Sequence, residues 1–414
     1  MAEASGARCR FCATPLSHLF ADLGQSPISN AMRRPQDVDQ PEPFYPLRAF
    51  VCEKCKLVQL QDFHVADALF TEDYTYFSSF STSWLKHAET YAATMTQRFG
   101  LGGLSKVVEL ASNDGYLLRW FKDRGIPVLG VEPSANTAAA ALKNHGIQSV
   151  VKFFGKKTAT EMVADGHGAD LMAANNVLAH VPDINDFVGG IAILLKKTGA
   201  ITFEFPHLLR LIEQNQFDTI YHEHYSYLSL LAVERILKAH GLVVFDVEEL
   251  KTHGGSLRVF AAHEGHPFQV GAGVAKVRTD EAAAGFDSLK AYADFGEKVR
   301  ATKRALLKYL IAQKEAGRTI VGYGAPAKGN TLLNYCGIKT DFLDYTVDRS
   351  PHKQGMFLPG TAIPVAAPER IFETKPDVVL ILPWNLKDEV VEQMAEIRKW
   401  GGKFVVPIPE VREL

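Results

Sequence analysis

Twice in this chain a short apolar run breaks into a loop of small and acidic residues and resumes as a helix, an alternation that restricts the fold more than any other feature. In the first instance Lys106-Val107-Val108-Glu109-Leu110 reads as a buried strand and Ala111-Ser112-Asn113-Asp114-Gly115 as a turn, with Tyr116 to Phe121 opening a helix. Val128 to Glu132, Ala169 to Asn176 and Ala200 to Phe205 add strands, separated by helical stretches. In the second instance Thr319 to Gly324 is a strand, Ala325 to Asn330 a loop, and Thr331 opens a helix. Strands at 342–347, 377–382 and 403–406 follow it. Such alternation demands right-handed crossovers and a parallel sheet covered on both faces. The sequence predicts an α/β protein with two such layers, joined by amphipathic helices over 281–293 and 298–314.

A length of 414 residues leaves room for about three domains. The net charge of -2 gives no electrostatic reason for a nucleic-acid or membrane partner. No apolar run approaches the roughly 20 residues of a membrane span, and the N-terminus has neither a basic segment nor an apolar one behind it. A cytoplasmic protein is expected.

Four of the five cysteines form two pairs, Cys9-x-x-Cys12 and Cys52-x-x-Cys55. In a cytoplasmic chain this pattern points to a tetrathiolate zinc site rather than a disulfide frame. Each knuckle supplies two thiolates, and four protein ligands close the tetrahedron, so the metal is expected to be structural. A redox role fits less well, because neither pair opens a thioredoxin-like helix. The spacer between the knuckles is long enough for a small sheet, and Cys336 is expected to be a packed thiol in a helix.

In open parallel sheets ligands sit beyond the carboxyl ends of the strands. Glu109 to Gly115 occupies that position after the first strand, and Glu132 ends the second, where a carboxylate can accept from both hydroxyls of a ribose. The loop lacks the Gly-x-Gly-x-x-Gly of a dinucleotide fold. An acidic residue at each end suits a cationic nucleoside instead, S-adenosylmethionine (SAM). Asn175 and Asn176 end another strand and can line the same pocket, with Phe153-Phe154 near the adenine.

Tyr221-His222-Glu223-His224-Tyr225 concentrates two imidazoles, a carboxylate and two phenols. As a strand it would place both histidines on one face with Glu223 opposite; as a helix the histidines diverge. A catalytic metal, an acid/base site and a satisfied structural cluster are the readings open at this point. With four cysteines available for zinc and no His-x-x-x-His spacing, a catalytic metal fits least.

These motifs, together with Tyr76-Phe77-Ser78-Ser79, Glu132-Pro133-Ser134, His180, His253-Gly254-Gly255 and Gly322-Tyr323-Gly324-Ala325-x-x-Lys328, occur in an order that resembles the sugar-nucleotide C-methyltransferases of deoxysugar biosynthesis. Members methylate C3 of 4-keto sugars. The resemblance covers nearly the whole chain. It implies a zinc-binding domain at 1–70 and a class I Rossmann-like methyltransferase domain at 71–265. A helical connector with a second Rossmann-like, nucleotide-sugar-binding domain then fills 266–414. Ala111 departs from the family's usual Glu-x-Gly-x-Asn-Asp-Gly form, where a methyl is expected to crowd the ligand only slightly.

The resemblance implies a SAM site at Glu109, Ala111, Ser112, Asn113, Asp114, Gly115, Tyr116, Leu117, Glu132, Pro133, Phe153, Asn175 and Asn176. It implies His224 as base, Tyr221 and Tyr76 as hydrogen-bonding or acid partners, Glu223 as an orienting group, and His180 as a group that polarises the ketone. His222 is expected to be non-catalytic, and His253-Gly254-Gly255 to line the pocket. Tyr323, Gly324, Ala325, Lys328, Asn330, Arg349 and Lys353 are expected to hold the nucleotide diphosphate, dTDP by expectation, of the sugar substrate. A monomer is expected. Rival readings are an O- or N-methyltransferase on another metabolite and a non-catalytic zinc- and SAM-binding module. An RNA methyltransferase would want a basic face that this chain does not show.

Overall fold

The computed structural model describes residues 6–61, 77–80 and 82–414. Tyr76 lies outside the described residues.

The N-terminal unit is built on β1 (His18–Ser26), β2 (Tyr45–Val51) and β3 (Val58–Leu60), an antiparallel sheet lying between and beside the two knuckles. Both knuckles use the same turn. In the first, Ala13 N–H donates to the Cys9 carbonyl, and in the second Lys56 N–H donates to that of Cys52, each at 2.9 Å. Ala13 and Lys56 take φ of 58° and 62°. A fourth strand, β9 (Ser226–Tyr227), joins β3 from far downstream, with Gln59 opposite Ser226.

The central sheet contains β4 (Val107–Leu110), β5 (Val128–Val131), β6 (Ser149–Val150), β7 (Ala169–Asn175), β8 (Leu195–Pro206), β10 (Leu242–Leu250) and β11 (Ser256–His263). Its order is β10-β11-β8-β7-β4-β5-β6, with β11 antiparallel to both neighbours and the other pairs parallel. β4 is buried at all four residues, as a strand covered on both faces must be.

The C-terminal sheet runs β14 (Val365–Ala366), β13 (Thr346–Val347), β12 (Ile320–Tyr323), β15 (Val378–Ile381), β16 (Lys403–Val406) and β17 (Arg412–Glu413), parallel except for the last. The expected strand over 342–347 is shorter than its apolar pattern suggests. Phe342 and Leu343 both donate to the Lys339 carbonyl in a turn, which leaves Thr346–Val347 to pair. The expected helix over 281–293 is broken as well. One helix ends at Ala283, and Gly285 takes φ of +77°, a left-handed conformation that glycine adopts without steric cost.

The small sheet shares cores with both larger ones. Phe20, Leu23 and Leu47 pack in one core with Phe217, Phe295, Leu332 and Trp384, and Phe20 stacks on Phe295 at 4.4 Å. Cys9, Cys52 and Leu57 belong to a second core with Val108, Phe203 and Leu228. A fully buried ring such as Phe20 contributes roughly 2–3 kcal/mol, so the N-terminal sheet is fastened to each partner by packing.

Candidate active site

The carboxyl ends of β4, β5 and β7 lie side by side in the parallel sheet. Glu132 follows β5 and accepts N–H groups of Asn113 at 2.8 Å and Ser134 at 2.9 Å, which ties the first loop to the second. Glu109 is buried and its carboxyl is pushed well above the usual range, first by burial and then by the nearby Asp114 and Glu132 charges, against the Tyr116 hydrogen bond that lowers it. Glu109 Oε2, Asp114 Oδ1 and Asn175 Oδ1 are buried without a partner among the described residues. Three unpaired acceptors around the strand ends are what a cationic nucleoside would satisfy, because buried polar groups otherwise carry a desolvation cost. The residues present therefore fit SAM.

Gly115 holds φ of +79°, and a Cβ there would come within 2.8 Å of Ile147. Ala111 also has positive φ, 52°, and is exposed. A residue other than glycine at this position therefore costs backbone strain. Ser112, Tyr116 and Leu117 are buried beneath the loop, whereas Pro133 is half-buried and Phe153 is 60% exposed beyond β6. Ser78 N–H donates to Asn113 Oδ1 at 2.9 Å, and the Ser79 hydroxyl and N–H both donate to Asp114 Oδ2. Trp84, on the helix Thr82–Phe99, stacks on Tyr116 at 5.9 Å and lies 5.7 Å from His253. His253 in turn meets Asn176, with Nε2 3.3 Å from Nδ2.

Tyr221 to Tyr225 forms neither a strand nor a helix. It is a turn, closed by His224 N–H donating to the Tyr221 carbonyl at 2.8 Å. The turn faces the two side chains together, with the Tyr221 hydroxyl 2.8 Å from His224 Nε2. His224 Nδ1 lies 2.8 Å from the Thr219 carbonyl. A carbonyl only accepts, so Nδ1 carries the hydrogen and Nε2 presents its lone pair toward Tyr221. Burial, and then the field of His180, hold His224 well below the usual histidine range, so the ring is neutral at neutral pH.

His180 closes a 3-10 turn after β7 and packs edge-on against His224, with ring centroids 4.6 Å apart. Burial lowers it to about 4, partly offset by a hydrogen bond to the Glu223 backbone. Its Nδ1 is buried and unpartnered among the described residues. Glu223 is buried, and burial raises its carboxyl to about 7 against the lowering hydrogen bonds of Asn30. Asn30 Nδ2 donates to Glu223 Oε2 at 2.6 Å. His222 points away, with Nε2 3.2 Å from the Pro46 carbonyl.

The C-terminal loop is constructed like the first one. Asp348, after β13, accepts the Ala325 N–H at 2.7 Å, as Glu132 accepts that of Asn113. Gly324 has φ of +90°, and a Cβ on it would meet Pro383. Lys328 does not point into open solvent. Its Nζ donates to Asn385 Oδ1 at 2.7 Å and lies 4.9 Å over the Trp384 ring, and its charge reaches His224, His253 and Asp218. Lys353 Nζ donates to the Ala325 carbonyl at 2.8 Å, and its charge lowers Glu223. Tyr323 donates to Gln393 at 3.2 Å, while Arg349 is an exposed partner of Glu389. Asn330 is buried and spends its amide on the Ser29 carbonyl at 2.7 Å. Of the residues expected on the nucleotide, Lys328 and Lys353 are thus the ones electrostatically coupled to the histidine turn.

The four cysteine sulfurs lie within 4.8 Å of one another, with Cys9 to Cys55 and Cys12 to Cys52 both at 3.5 Å. A Zn–S bond of about 2.3 Å places tetrahedral sulfurs about 3.8 Å apart, so the cluster fits zinc. Gln59 Nε2 donates to Cys9 Sγ at 3.1 Å, an outer contact of the kind that orients a ligand. Among the described residues, no helix is long and apolar enough to cross a membrane. Asn30, Asp218, Thr219, Gln59 and Trp384 carry no motif. They are recruited by three-dimensional proximity, and sequence reasoning missed them.

Three family models match in succession: a zinc binding domain over residues 9–70, a methyltransferase domain over 84–247, and a C-methyltransferase C-terminal domain over 251–409. The chain is 35% identical over 408 residues to the C-methyltransferase NovU of Streptomyces niveus, covering 98% of this chain and 96% of that one. It is 32% identical over 99 residues to the ubiquinone biosynthesis O-methyltransferase of Rhodopseudomonas palustris strain BisA53, 24% of this chain and 38% of that one. Solved structures that it resembles include the 1,6-didemethyltoxoflavin-N1-methyltransferase of Burkholderia thailandensis, with a TM-score of 0.37 at 17% identity over 51% of this chain and 96% of that one. Magnesium protoporphyrin IX methyltransferase of Synechocystis PCC 6803 gives 0.35 at 14% identity over 47% and 88%. With a SAM pocket at the strand ends and a four-cysteine zinc site, and with NovU matched along almost its whole length, the chain belongs to the sugar C-methyltransferase family of SAM-dependent enzymes.

Proposed function

We propose that the enzyme methylates C3 of a nucleotide-linked 4-keto deoxysugar, dTDP-linked, through an enolate formed when His224 removes the C3 proton. The observation that carries this reading is the state of His224: neutral, with Nδ1–H on Thr219 and the Nε2 lone pair beside the Tyr221 hydroxyl. A C3 proton is acidified by the adjacent ketone but still needs a base in contact, and the developing oxyanion needs donors. Tyr221 is one such donor, and Glu223, raised to about 7, supplies a carboxyl that is part protonated at neutral pH. His180 lies against His224 and contributes a second neutral imidazole to the same pocket. When bound, SAM supplies the electrophilic methyl.

The C-terminal loop, with Tyr323, Gly324, Ala325, Lys328, Asn330, Arg349 and Lys353, is the side on which the nucleotide diphosphate is held. Lys328 and Lys353 support that assignment as basic groups whose charges reach the histidine turn. The zinc is structural, and the enzyme acts as a cytoplasmic monomer.

Deuterium exchange tests the reading directly. In D2O, with S-adenosylhomocysteine replacing the donor, a dTDP-4-keto sugar should gain deuterium at C3 with the wild-type enzyme and not with His224→Ala. Carbon methylation should then appear when SAM is added. Absence of both with every 4-keto nucleotide sugar offered would overturn the proposal.

A further inference from the structure

We infer that Trp384, carried by the C-terminal unit, is a positioning residue that sets His224 and His253 together, so that docking of that unit completes the acid/base geometry. The inference rests on the functional reading above for its catalytic consequence and on packing alone for the brace itself.

Three sides of one indole are used. Trp384 Nε1 donates to Asp218 Oδ2 at 2.7 Å, and both residues are buried. Asp218 immediately precedes Thr219, whose carbonyl holds His224 Nδ1. The far edge of the same ring abuts Gly254, where an added Cβ would lie 2.6 Å from Trp384 Cη2. Gly254 follows His253, a residue held at φ of 55° and reaching Asn176, the residue after β7. The ring face carries Lys328 Nζ at 4.9 Å. Gln216 Nε2 donates to the Gly254 carbonyl at 2.7 Å, so the two histidine-bearing loops are also joined to each other.

A left-handed non-glycine conformation persists only where its surroundings over-determine it. Here the determinants include the indole edge on Gly254 and the amide of Gln216, beside the contacts of His253 with Trp84 and Asn176. The carbonyl that selects the His224 tautomer is likewise fixed by its neighbour's bond to the indole. Small displacements of a catalytic group are sufficient to lower turnover by about a hundredfold.

The test is Trp384→Phe, which keeps a ring and removes the N–H, read by the imidazole 15N and N–H signals of His224, assigned through His224→Gln. The expected result is a shifted or exchange-broadened His224 Nδ1–H signal. With sugar substrate, kcat should fall about ten- to a hundredfold, with KM for both substrates within about twofold. Asp218→Asn, whose amide oxygen still accepts from the indole, should keep the wild-type His224 signal. If Trp384→Phe fails to fold, Asp218→Ala removes the same bond from the other side and is read in the same way. An unchanged His224 signal in the deletion variant overturns the brace. A shifted signal in an enzyme that methylates no sugar leaves the brace standing and counts against the functional reading instead.

Discussion

The Tyr221 hydroxyl lies 2.8 Å from His224 Nε2, the nitrogen that the Thr219 carbonyl leaves without a hydrogen by binding Nδ1. A phenol beside a neutral imidazole can donate to it at rest and is displaced or redirected when a substrate proton arrives. On the proposed mechanism, loss of the His224 imidazole removes the proton acceptor, and acid/base groups contribute about 10²–10⁴-fold. His224→Ala should therefore lose turnover within that range, and Tyr221→Phe a smaller part of it. Both variants should bind SAM with wild-type affinity by calorimetry, because neither side chain is part of the β4 loop. Wild-type turnover in His224→Ala would remove the base from the mechanism.

The pH dependence of stability should expose Glu223. Burial raises its carboxyl from 4.5 to about 7 in the fold. Between those values the native state binds more protons than the unfolded chain, so this group makes stability fall as pH rises. The full shift corresponds to about 3 kcal/mol above the folded value, an upper bound. His180 and His253, both lowered to about 4, act in the opposite sense: they favour the fold more as pH climbs from about 4 toward 6.5. The difference between wild type and Glu223→Gln isolates the carboxyl. The Gln variant should gain thermal stability relative to wild type between pH 5 and pH 8, and melting curves with equal pH slopes would contradict this.

Much of this arrangement was legible in the chain. The strand-loop-helix pattern gave both parallel layers, because buried strands leave continuous apolar runs that end at ligand loops. The cysteine spacing located the metal cluster for an equally direct reason, since a knuckle is a local turn. The partnership of Tyr221 with His224 follows from the resemblance and not from periodicity, because their contact is made by a turn that neither a strand nor a helix period describes. Asp218, Trp384 and Asn30 were invisible for a different reason. Each acts across units, and nothing in the neighbourhood of Trp384 in the sequence indicates that its indole will reach Asp218. The contact of Lys328 with Asn385 and its field at His224 are illegible in the same way, because they follow from how the units pack.

The donor loop offers two substitutions of opposite sign. Ala111 holds φ of 52°, which costs an L-residue roughly 1 kcal/mol. Ala111→Gly should relieve this and be neutral to stabilising by up to about 1 kcal/mol after the loss of unfolded-state restriction. SAM affinity should be equal or tighter. Gly115→Ala meets both obstacles at once, with φ of +79° and Ile147 Cδ1 at 2.8 Å from the new methyl. It should cost roughly 1–3 kcal/mol and weaken SAM binding measurably. Chemical denaturation with and without SAM checks both, and a stable, tight-binding Gly115→Ala would show that the loop can relax.

Zinc removal should be felt at the His224 turn. Gln59 donates to Cys9 Sγ at 3.1 Å from within β3, and the same residue pairs with Ser226 of β9. β9 begins one residue after Tyr225, and Leu60 N–H donates to the Tyr225 carbonyl at 3.0 Å. The metal cluster, β3 and the His224 turn are therefore consecutive links in one hydrogen-bonded chain. Asn30, the donor to Glu223, also belongs to this N-terminal unit. Because binding a structural zinc is part of the folding free energy of its unit, chelation or Cys52→Ser should lower the melting temperature and abolish most turnover. SAM binding, expected at the ends of β4, β5 and β7, should survive the loss better than turnover does. Metal-free enzyme with unchanged melting temperature and full activity would mean that the cysteine cluster does not support the turn.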